Sequence, residues 1–398
     1  QEIIMSKEVV IVSYVRTPIG AFQGSLSSVS APKLGAIVIK EVADRASINP
    51  EKVDEVIMGC VLPAGLGQAP ARQAAIFAGF PNSVECLTIN KMCGSGLKAI
   101  MMAAQAIKAG DAEIIIAGGM ENMSQAPYYL PKARDGYRLG HGQIIDGMIK
   151  DGLWDVYNDI HMGNCAEICA KEYQFTREDQ DNFAERSYKR AQWAQSEGLF
   201  ADEIIPVSVP QRRGDPIIVE RDDEPGKVNF EKMKKLRAAF EKNGTITAAN
   251  ASKINDGAAA CVIMSAEKAA ELHLKPIARI VSQASSAQAP EWFTTAPVKA
   301  MKKAAEKAGM TVEQMDLFEI NEAFSVVTMA AEKEFNLDEE KVNVNGGAVS
   351  LGHPIGASGA RIMVTLLNAM SQKDAKFGMA SICIGGGEAS AVIVENLC

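Results

Sequence analysis

Histidine is scarce: 398 residues contain only His141, His161, His273 and His353. A reaction that needs a general base with a pKa near neutrality therefore has few residues to draw on. No Cys-x-x-Cys pair occurs among the eight cysteines, at 60, 86, 93, 165, 169, 261, 383 and 398. They are scattered through a chain large enough to fold without staples, so most are expected to be reduced, small apolar residues. No run of about 18 apolar residues free of charge is present, which leaves no transmembrane helix in view. The N-terminal stretch also lacks the basic region, apolar segment and small-residue cleavage site of a secretory leader, and a cytoplasmic protein is expected. Gln1–Ile4 stand ahead of Met5, either as an added remnant or as the cut end of a processed precursor; the second reading would place the protein in the mitochondrial matrix. Positive charge is in deficit, with a formal net charge of -8 and a pI near 5.3. That sign repels nucleic acid and anionic membranes and leaves a small-molecule substrate as the expectation.

Hydrophobic residues make up 47% of the chain and charged ones 23%, enough interior for two or three domains. Short apolar runs of strand type alternate with helical stretches, the pattern of an α/β protein. Strands are predicted at 8–14, 55–60, 84–90 and 112–117, with helices near 32–46, 71–78 and 94–108. The third helix carries Leu97, Ile100, Met101, Ala104 and Ile107 on one stripe, so it packs against a sheet. The C-terminal part repeats the order, with strands near 277–281, 316–320, 342–344, 377–384 and 389–395 and helices near 298–307, 322–335 and 357–369. The two halves read as one unit used twice. Between them lies an excursion rich in charge, Gly and Pro, with helices near 164–173 and 177–197. It is followed by a further strand of the first half at 258–264. The expected division is 5–123 plus 250–275 for the first half, 124–249 for an inserted loop domain, and 276–398 for the second half.

Four short segments carry chemistry. In Asn90-Lys-Met-Cys93-Gly-Ser-Gly96 a cysteine stands between a strand end and a helix start. The free amides and dipole of a helix N-terminus favour an anion and are expected to lower the thiol pKa, while the glycines leave room for a substrate carbonyl. Taken alone, such a cysteine is as readily a packed residue. The run from Asn345 to Gly359 holds five glycines and His353 before the matching helix of the second half. A histidine in such a turn is poorly explained as a core residue, because turns of this kind bring backbone close to a ligand. By the symmetry of the halves, His353 and Cys93 occupy corresponding helix starts and can face one another across the joint. Cys383-Ile-Gly-Gly-Gly387 places a second thiol beside exposed amides able to hold an oxyanion. Asn321-Glu-Ala-Phe324 lies at another strand-to-helix junction, where Asn321 has a plain reading as a helix N-cap.

Together these segments resemble the thiolase family over essentially the whole chain, from about Val9 to Val394. Further matches are Arg16-Thr-Pro-Ile-Gly20, Gly67-Gln-Ala-Pro-Ala-Arg72 and Asn250-Ala-Ser-Lys-Ile-Asn-Asp-Gly257. The resemblance implies a thiolase fold of two similar βαβαβαββ halves in a five-layered αβαβα body, with the insertion covering the active site. It implies acetyl transfer between coenzyme A thioesters: reversible condensation of two acetyl-CoA to acetoacetyl-CoA and free CoA. Cys93 would carry the acetyl group, His353 would activate that thiol, and Cys383 would take the α-proton of the second acetyl-CoA. The Cys93 and Gly385 amides would form one oxyanion hole, and His353 with a water held by Asn321 the other. Leu153, His161, Met162, Met233, Leu236, Phe240, Ser252, Ala323 and Phe324 match positions that hold the pantetheine arm. In the basic cluster Lys227, Lys232, Lys234, Lys235 and Arg237, most members read as a solvated helix face, and Lys227 is the one expected to meet the CoA phosphates. A homotetramer is also implied.

The His161-Met-Gly163 stretch looks like the short-chain, acetoacetyl-CoA type. The missing tyrosine ahead of Lys227 speaks against the potassium requirement of one mitochondrial subtype, whereas Phe293 resembles that subtype at a pocket position. No permanently bound cofactor is expected. A metal on His161, Cys165 and Cys169, spaced i, i+4, i+8, lacks a fourth ligand and has no counterpart in the family. Rival readings are a 3-ketoacyl-CoA thiolase of longer range, a ketoacyl synthase of the same superfamily, and an inactive lipid-carrier or scaffold protein of thiolase fold. The first is separated by acyl-length preference. Cys383 and its glycines weigh against the second. A carrier has no chemical reason to hold Cys93, Asn321, His353 and Cys383 together.

Overall fold

A computed structural model describes residues 7–398; the alternatives raised for Gln1–Ile4 lie outside the described residues. The first half is built from β1 (Val9–Arg16), α1 (Ala31–Arg45), β2 (Glu55–Gly59), α2 (Pro70–Phe77), β3 (Glu85–Ile89), α3 (Ser95–Ala109), β4 (Ile114–Asn122) and β5 (Asn255–Ser265). The long segment between β4 and β5 carries α4 (Met162–Tyr173) and α5 (Arg177–Ser196). The second half follows as β6 (Ala278–Ala287), α6 (Ala296–Ala308), β7 (Leu317–Ile320), α7 (Ser325–Phe335), α8 (Ile355–Lys373), β8 (Phe377–Ile384) and β9 (Glu388–Asn396).

The strands join in one sheet in the order β7-β8-β9-β6-β1-β5-β4-β2-β3, with the short strand Gly20–Ala21 beside β5. In the first half β3, β2 and β4 run parallel and β5 and β1 alternate. The second half repeats this with β7 and β8 parallel and β9 and β6 alternating. Even the irregularities correspond: β1 slips register between Ile11 and Ser13 and β6 between Ile280 and Ser282. The halves meet where β1 pairs with β6 through Val10–Arg279 and Ile11–Ala278.

Strand alternation sorts the apolar residues into layers, since neighbours along a strand face opposite sides. Val9 and Ile11 of β1 face a central layer shared with α3 and α8 and strands of both halves. Val10 and Val12 face the opposite way, against Leu34, Val38 and Val42 of α1. The outer face of the second half packs on α6 through Ala300, Met301 and Ala304. The result is five layers, αβαβα. As a central-layer helix, α8 is buried from Ile355 to Met370 without a polar face to solvent. Its contact with α3 is at backbone distance: a Cβ on Gly96 would sit 2.7 Å from the Ala360 nitrogen, and one on Gly359 2.3 Å from the Leu97 nitrogen. These two glycines are needed for helix crossing. Gly94 likewise lies against Ile384, so neither it nor Gly96 leaves room for a substrate carbonyl as the sequence had led us to expect.

One predicted strand is absent. Residues 342–344 make only an isolated parallel bridge, Val342 to Phe318. Asn343 turns the chain at φ 47°, and its side-chain amide takes over the ladder's work by accepting from the Ile320 amide and donating to the Ile320 carbonyl, both at 2.8 Å. Because the side chain satisfies the groups that a strand would have paired, the backbone is free to turn.

The segment between β4 and β5 is fastened by Arg16 at the end of β1. The guanidinium is wholly buried, donates to Glu203 at 2.5 Å and to both oxygens of Asp222 at 2.7 and 2.9 Å, and lies over the Phe200 ring. Helix α5 starts with a capping box between Thr176 and Asp179.

Candidate active site

Cys93 stands two residues ahead of α3, and His353 two residues ahead of α8. The symmetric placement puts both against one cavity of about 270 Å³. The Cys93 turn is locked by its own side chains. Asn90 accepts from the Met92 amide at 3.0 Å, while Ser95 accepts from the Lys91 amide at 2.8 Å and donates to the Met92 carbonyl at 2.6 Å. Met92 is held at φ 46°, a conformation that costs a residue with a Cβ on the order of 1 kcal/mol or more. The cost is tolerated because the flanking bonds leave the turn no alternative.

The thiol does not behave as the sequence suggested. Burial pushes Cys93 up to about 11, although the amides of Gly385 and of Cys93 itself pull it down. Desolvation of the thiolate outweighs the helix start, so the resting group is a protonated thiol that needs a base. His353 is placed to be one. Burial first, and Arg361 second, lower its pKa to about 3, so the ring is neutral. Its Nδ1 lies 2.6 Å from the Ser358 hydroxyl, and that hydroxyl spends its single proton on the Pro354 carbonyl at 2.8 Å. Ser358 must therefore accept from Nδ1–H, which leaves Nε2 as the bare nitrogen. Nε2 is buried without a protein partner. The His353 amide donates to Asn255 Oδ1 at 2.9 Å, and Gly356 donates to the buried carboxyl of Glu121, which also receives the Val61 and Leu62 amides.

Cys383, the penultimate residue of β8, pairs with Ala389 and is fully buried. Burial raises its thiol strongly, and a charge on Cys93 raises it further, so the two sulfurs lie within electrostatic reach. Gly385 lines the cavity beside Cys93, and a Cβ there would meet nothing nearer than Met162 Sδ at 3.7 Å, so this is where the fold leaves open space. Asn321 is not an N-cap: α7 begins at Ser325 with Phe324 as its cap residue. Both polar atoms of the Asn321 side chain are buried and unpartnered. Buried amides are nearly always paired, so this one calls for a water, although Asn321 is not among the residues that line the cavity.

Leu153, His161, Met162, Phe240, Ser252, Phe293, Ala323 and Phe324 line the same cavity. His161 caps α4 by accepting from the Gly163 amide at 3.0 Å and stacks on Phe240 with ring centroids 4.8 Å apart. Phe324 meets Phe240 at 6.1 Å and Phe293 at 6.3 Å, forming an aromatic wall. Lys227, Met233 and Leu236 lie elsewhere, on an adjoining cavity between α5 and the 224–236 segment. Lys227 is exposed there, 3.9 Å from Glu224; Lys234, Lys235 and Arg237 are exposed too, but they lie beyond the end of the short helix Phe230–Met233, in a turn and irregular chain rather than on a helix face. Among the described residues no group of three His, Cys, Asp or Glu side chains is arranged to hold a metal ion; Cys165 faces Asp155 and Cys169 the Val326 carbonyl. No helix among them is long and apolar enough to cross a membrane.

Sequence reasoning missed Ser358, Glu121 and Lys253, the last of which lines both cavities. Lys253 lay inside a quoted motif as its one basic residue, a signal that was legible. Glu121 acts on partners far along the chain and gave no signal, whereas Ser358 lay within the quoted Gly-rich run, four and five residues from its partners Pro354 and His353.

Comparison with known proteins agrees with this geometry. Residues 9–267 match the model of the thiolase N-terminal domain and residues 274–396 that of the thiolase C-terminal domain. The acetyl-CoA acetyltransferase of Cupriavidus necator is 56% identical over 98% of this chain and 99% of its own. Acetyl-CoA acetyltransferase 1 of Arabidopsis thaliana is 55% identical over 98% and 94%. Among solved structures, the Acat5 thiolase of Ascaris suum in complex with coenzyme A superposes with a TM-score of 0.94 at 48% identity, covering 98% of this chain and all of that one. The Bacillus anthracis acetyl-CoA acetyltransferase gives 0.96 at 43% identity, over 98% and 99%.

Proposed function

The chain belongs to the thiolase family, and from that membership we infer that it is an acetyl-CoA C-acetyltransferase, joining two acetyl-CoA into acetoacetyl-CoA and CoA and running the thiolysis in reverse. The observation that carries the residue roles is the bare, buried Nε2 of His353 beside a cavity holding a protonated Cys93. Nε2 takes the Cys93 proton, and the thiolate attacks the acetyl carbonyl of the first thioester, whose oxygen is received by the Cys93 and Gly385 amides. The resting Cys383 is firmly protonated, so its first act is to give its proton to the departing CoA sulfur. That leaves a thiolate ready to remove the α-proton of the second acetyl-CoA. The enolate oxygen is met by the imidazolium of His353 and a water on Asn321. Carbon attacks the acetyl-Cys93 carbonyl, and the expelled Cys93 thiolate recovers its proton from His353. Protons and electrons balance over the cycle with no permanently bound group and no metal.

The wall of Phe240, Phe293, Phe324 and His161 supports a short acyl range. Lys227 is the residue for the CoA phosphates. Tyr128, Leu130, Leu139 and Ile144 stand exposed on one segment, an apolar surface fitted to the homotetramer. Thiolysis of acetoacetyl-CoA against 3-ketoacyl-CoA substrates of increasing length tests the substrate reading. A preference of ~10-fold or more in kcat/KM for acetoacetyl-CoA is expected, worth ~1.4 kcal/mol of differential transition-state binding. Equal turnover of a chain of about eight carbons would remove it.

A further inference from the structure

Lys253 takes no part in the reaction described above, yet it sits at the wall between the catalytic cavity and its neighbour. Its ammonium donates to the Ala251 carbonyl at 2.8 Å and to the Val349 carbonyl at 3.2 Å, and stands 5.5 Å from the centroid of the Tyr188 ring. The two carbonyls belong to different parts of the chain. Ala251 opens the strip that faces substrate, which is pinned on its other side by the bridge to Phe324 and by the Ser252 amide on the Ala323 carbonyl at 3.0 Å. Val349 lies in the helical turn Ala348–Leu351, whose chain continues directly into Gly352 and His353. That turn is tied from below by Glu322, which accepts from the Val349 amide at 3.0 Å.

We propose that Lys253 is a positioning residue, its ammonium clipping the substrate-facing strip Ala251–Lys253 to the turn Ala348–Leu351 and so setting where His353 stands relative to the bound thioester. A methionine of similar length has no donors for the two carbonyls, whereas the ammonium has three. Burial lowers the lysine to about 8, with Glu224 and Glu322 opposing the fall, so the clip is closed near neutrality. Asn255, two residues along at the start of β5, makes a second tie to the His353 amide. The two ties fix the histidine from one direction, and misplacement of a catalytic group by about 1 Å can cost on the order of 10²-fold in rate.

The inference rests on the acyl-transfer reading, which the wild-type assay tests separately. Lys253→Met, which keeps the stem's packing, and Lys253→Ala, which vacates the ammonium's place, are compared with wild type in steady-state thiolysis, with melting temperature recorded for each. Both variants are expected to lose ~10-fold or more in kcat with a smaller change in KM. Methylammonium chloride, but not sodium chloride at the same concentration, should restore part of the kcat of Lys253→Ala by refilling the carbonyl pair. A kcat for folded Lys253→Met within about twofold of wild type, a loss confined to KM, or a folded Lys253→Ala indifferent to methylammonium would each overturn the proposal. If Lys253→Ala does not fold, the kcat and KM of Lys253→Met decide the matter alone.

Discussion

Replacing Ser358 with alanine isolates the tautomer argument. Ser358 touches neither cavity, and its hydroxyl does two things: it accepts from His353 Nδ1 at 2.6 Å and donates to the Pro354 carbonyl at 2.8 Å. Without it, Nδ1–H is a buried donor with no partner, a penalty of about 1–3 kcal/mol. The neutral ring is no longer held with its proton on Nδ1, and the imidazolium that forms when Nε2 takes the Cys93 proton must keep Nδ1–H unpaired, so the penalty falls on the reactive form. Converted at 1.36 kcal/mol per factor of ten, the same range predicts acetylation of Cys93 slower by about 5- to 150-fold. The assay is single-turnover transfer of radiolabelled acetyl from acetyl-CoA to the protein, read beside a melting curve. Ser358→Thr, which keeps the hydroxyl, should recover most of the rate. Wild-type acetylation by Ser358→Ala, or equal loss in the threonine variant at unchanged stability, would show that the hydroxyl does not set the tautomer.

The two active-site thiols should separate in the same assay. Cys93→Ala is expected to lose both acetylation and condensation, whereas Cys383→Ser should still label Cys93 while condensation falls by roughly 10²-fold or more; label mapped to Cys383 in the wild type would sink the assignment. The Cys93 thiol, pushed up to about 11, should show no thiolate absorbance between about pH 6 and 9 in a wild-type minus Cys93→Ala difference titration; a step below about pH 7.5 would mean that the thiolate pre-exists and His353 rests protonated. For stability, Arg16→Leu leaves Glu203 and Asp222 buried without their cation. It should cost about 3–5 kcal/mol by denaturant titration, and a loss under about 1 kcal/mol would show that water reaches the pair.

The alternation of short apolar runs with helical stripes was enough to read an α/β body of two similar halves, because periodicity of 2 and 3.6 is written locally. Most element boundaries fell within a few residues. The failures were those where a distant partner decides. Residues 342–344 are apolar enough for a strand, but Asn343 bonds both backbone groups of Ile320 and turns the chain away. Asn321 has the composition and position of a cap, and only the start of α7 at Ser325 shows that its amide is left free.

The residue types for acyl transfer were legible too, in the segments around Cys93, His353 and Cys383, because thiol, imidazole and Gly-rich turns have little other reason to recur at strand-to-helix junctions. What those groups are at neutral pH was not. Sequence placed Cys93 at a helix start, which lowers a thiol; folding surrounded the half-buried residue with protein, which raises it more, and desolvation is a property of everything packed around the sulfur rather than of its neighbours in the chain. The glycines show the same division. The sequence marked Gly96 and Gly359 as special, but a Cβ-sized gap belongs to a pair of helices, and only the crossing of α3 and α8 showed that the space is closed by backbone, whereas Gly385 faces the cavity.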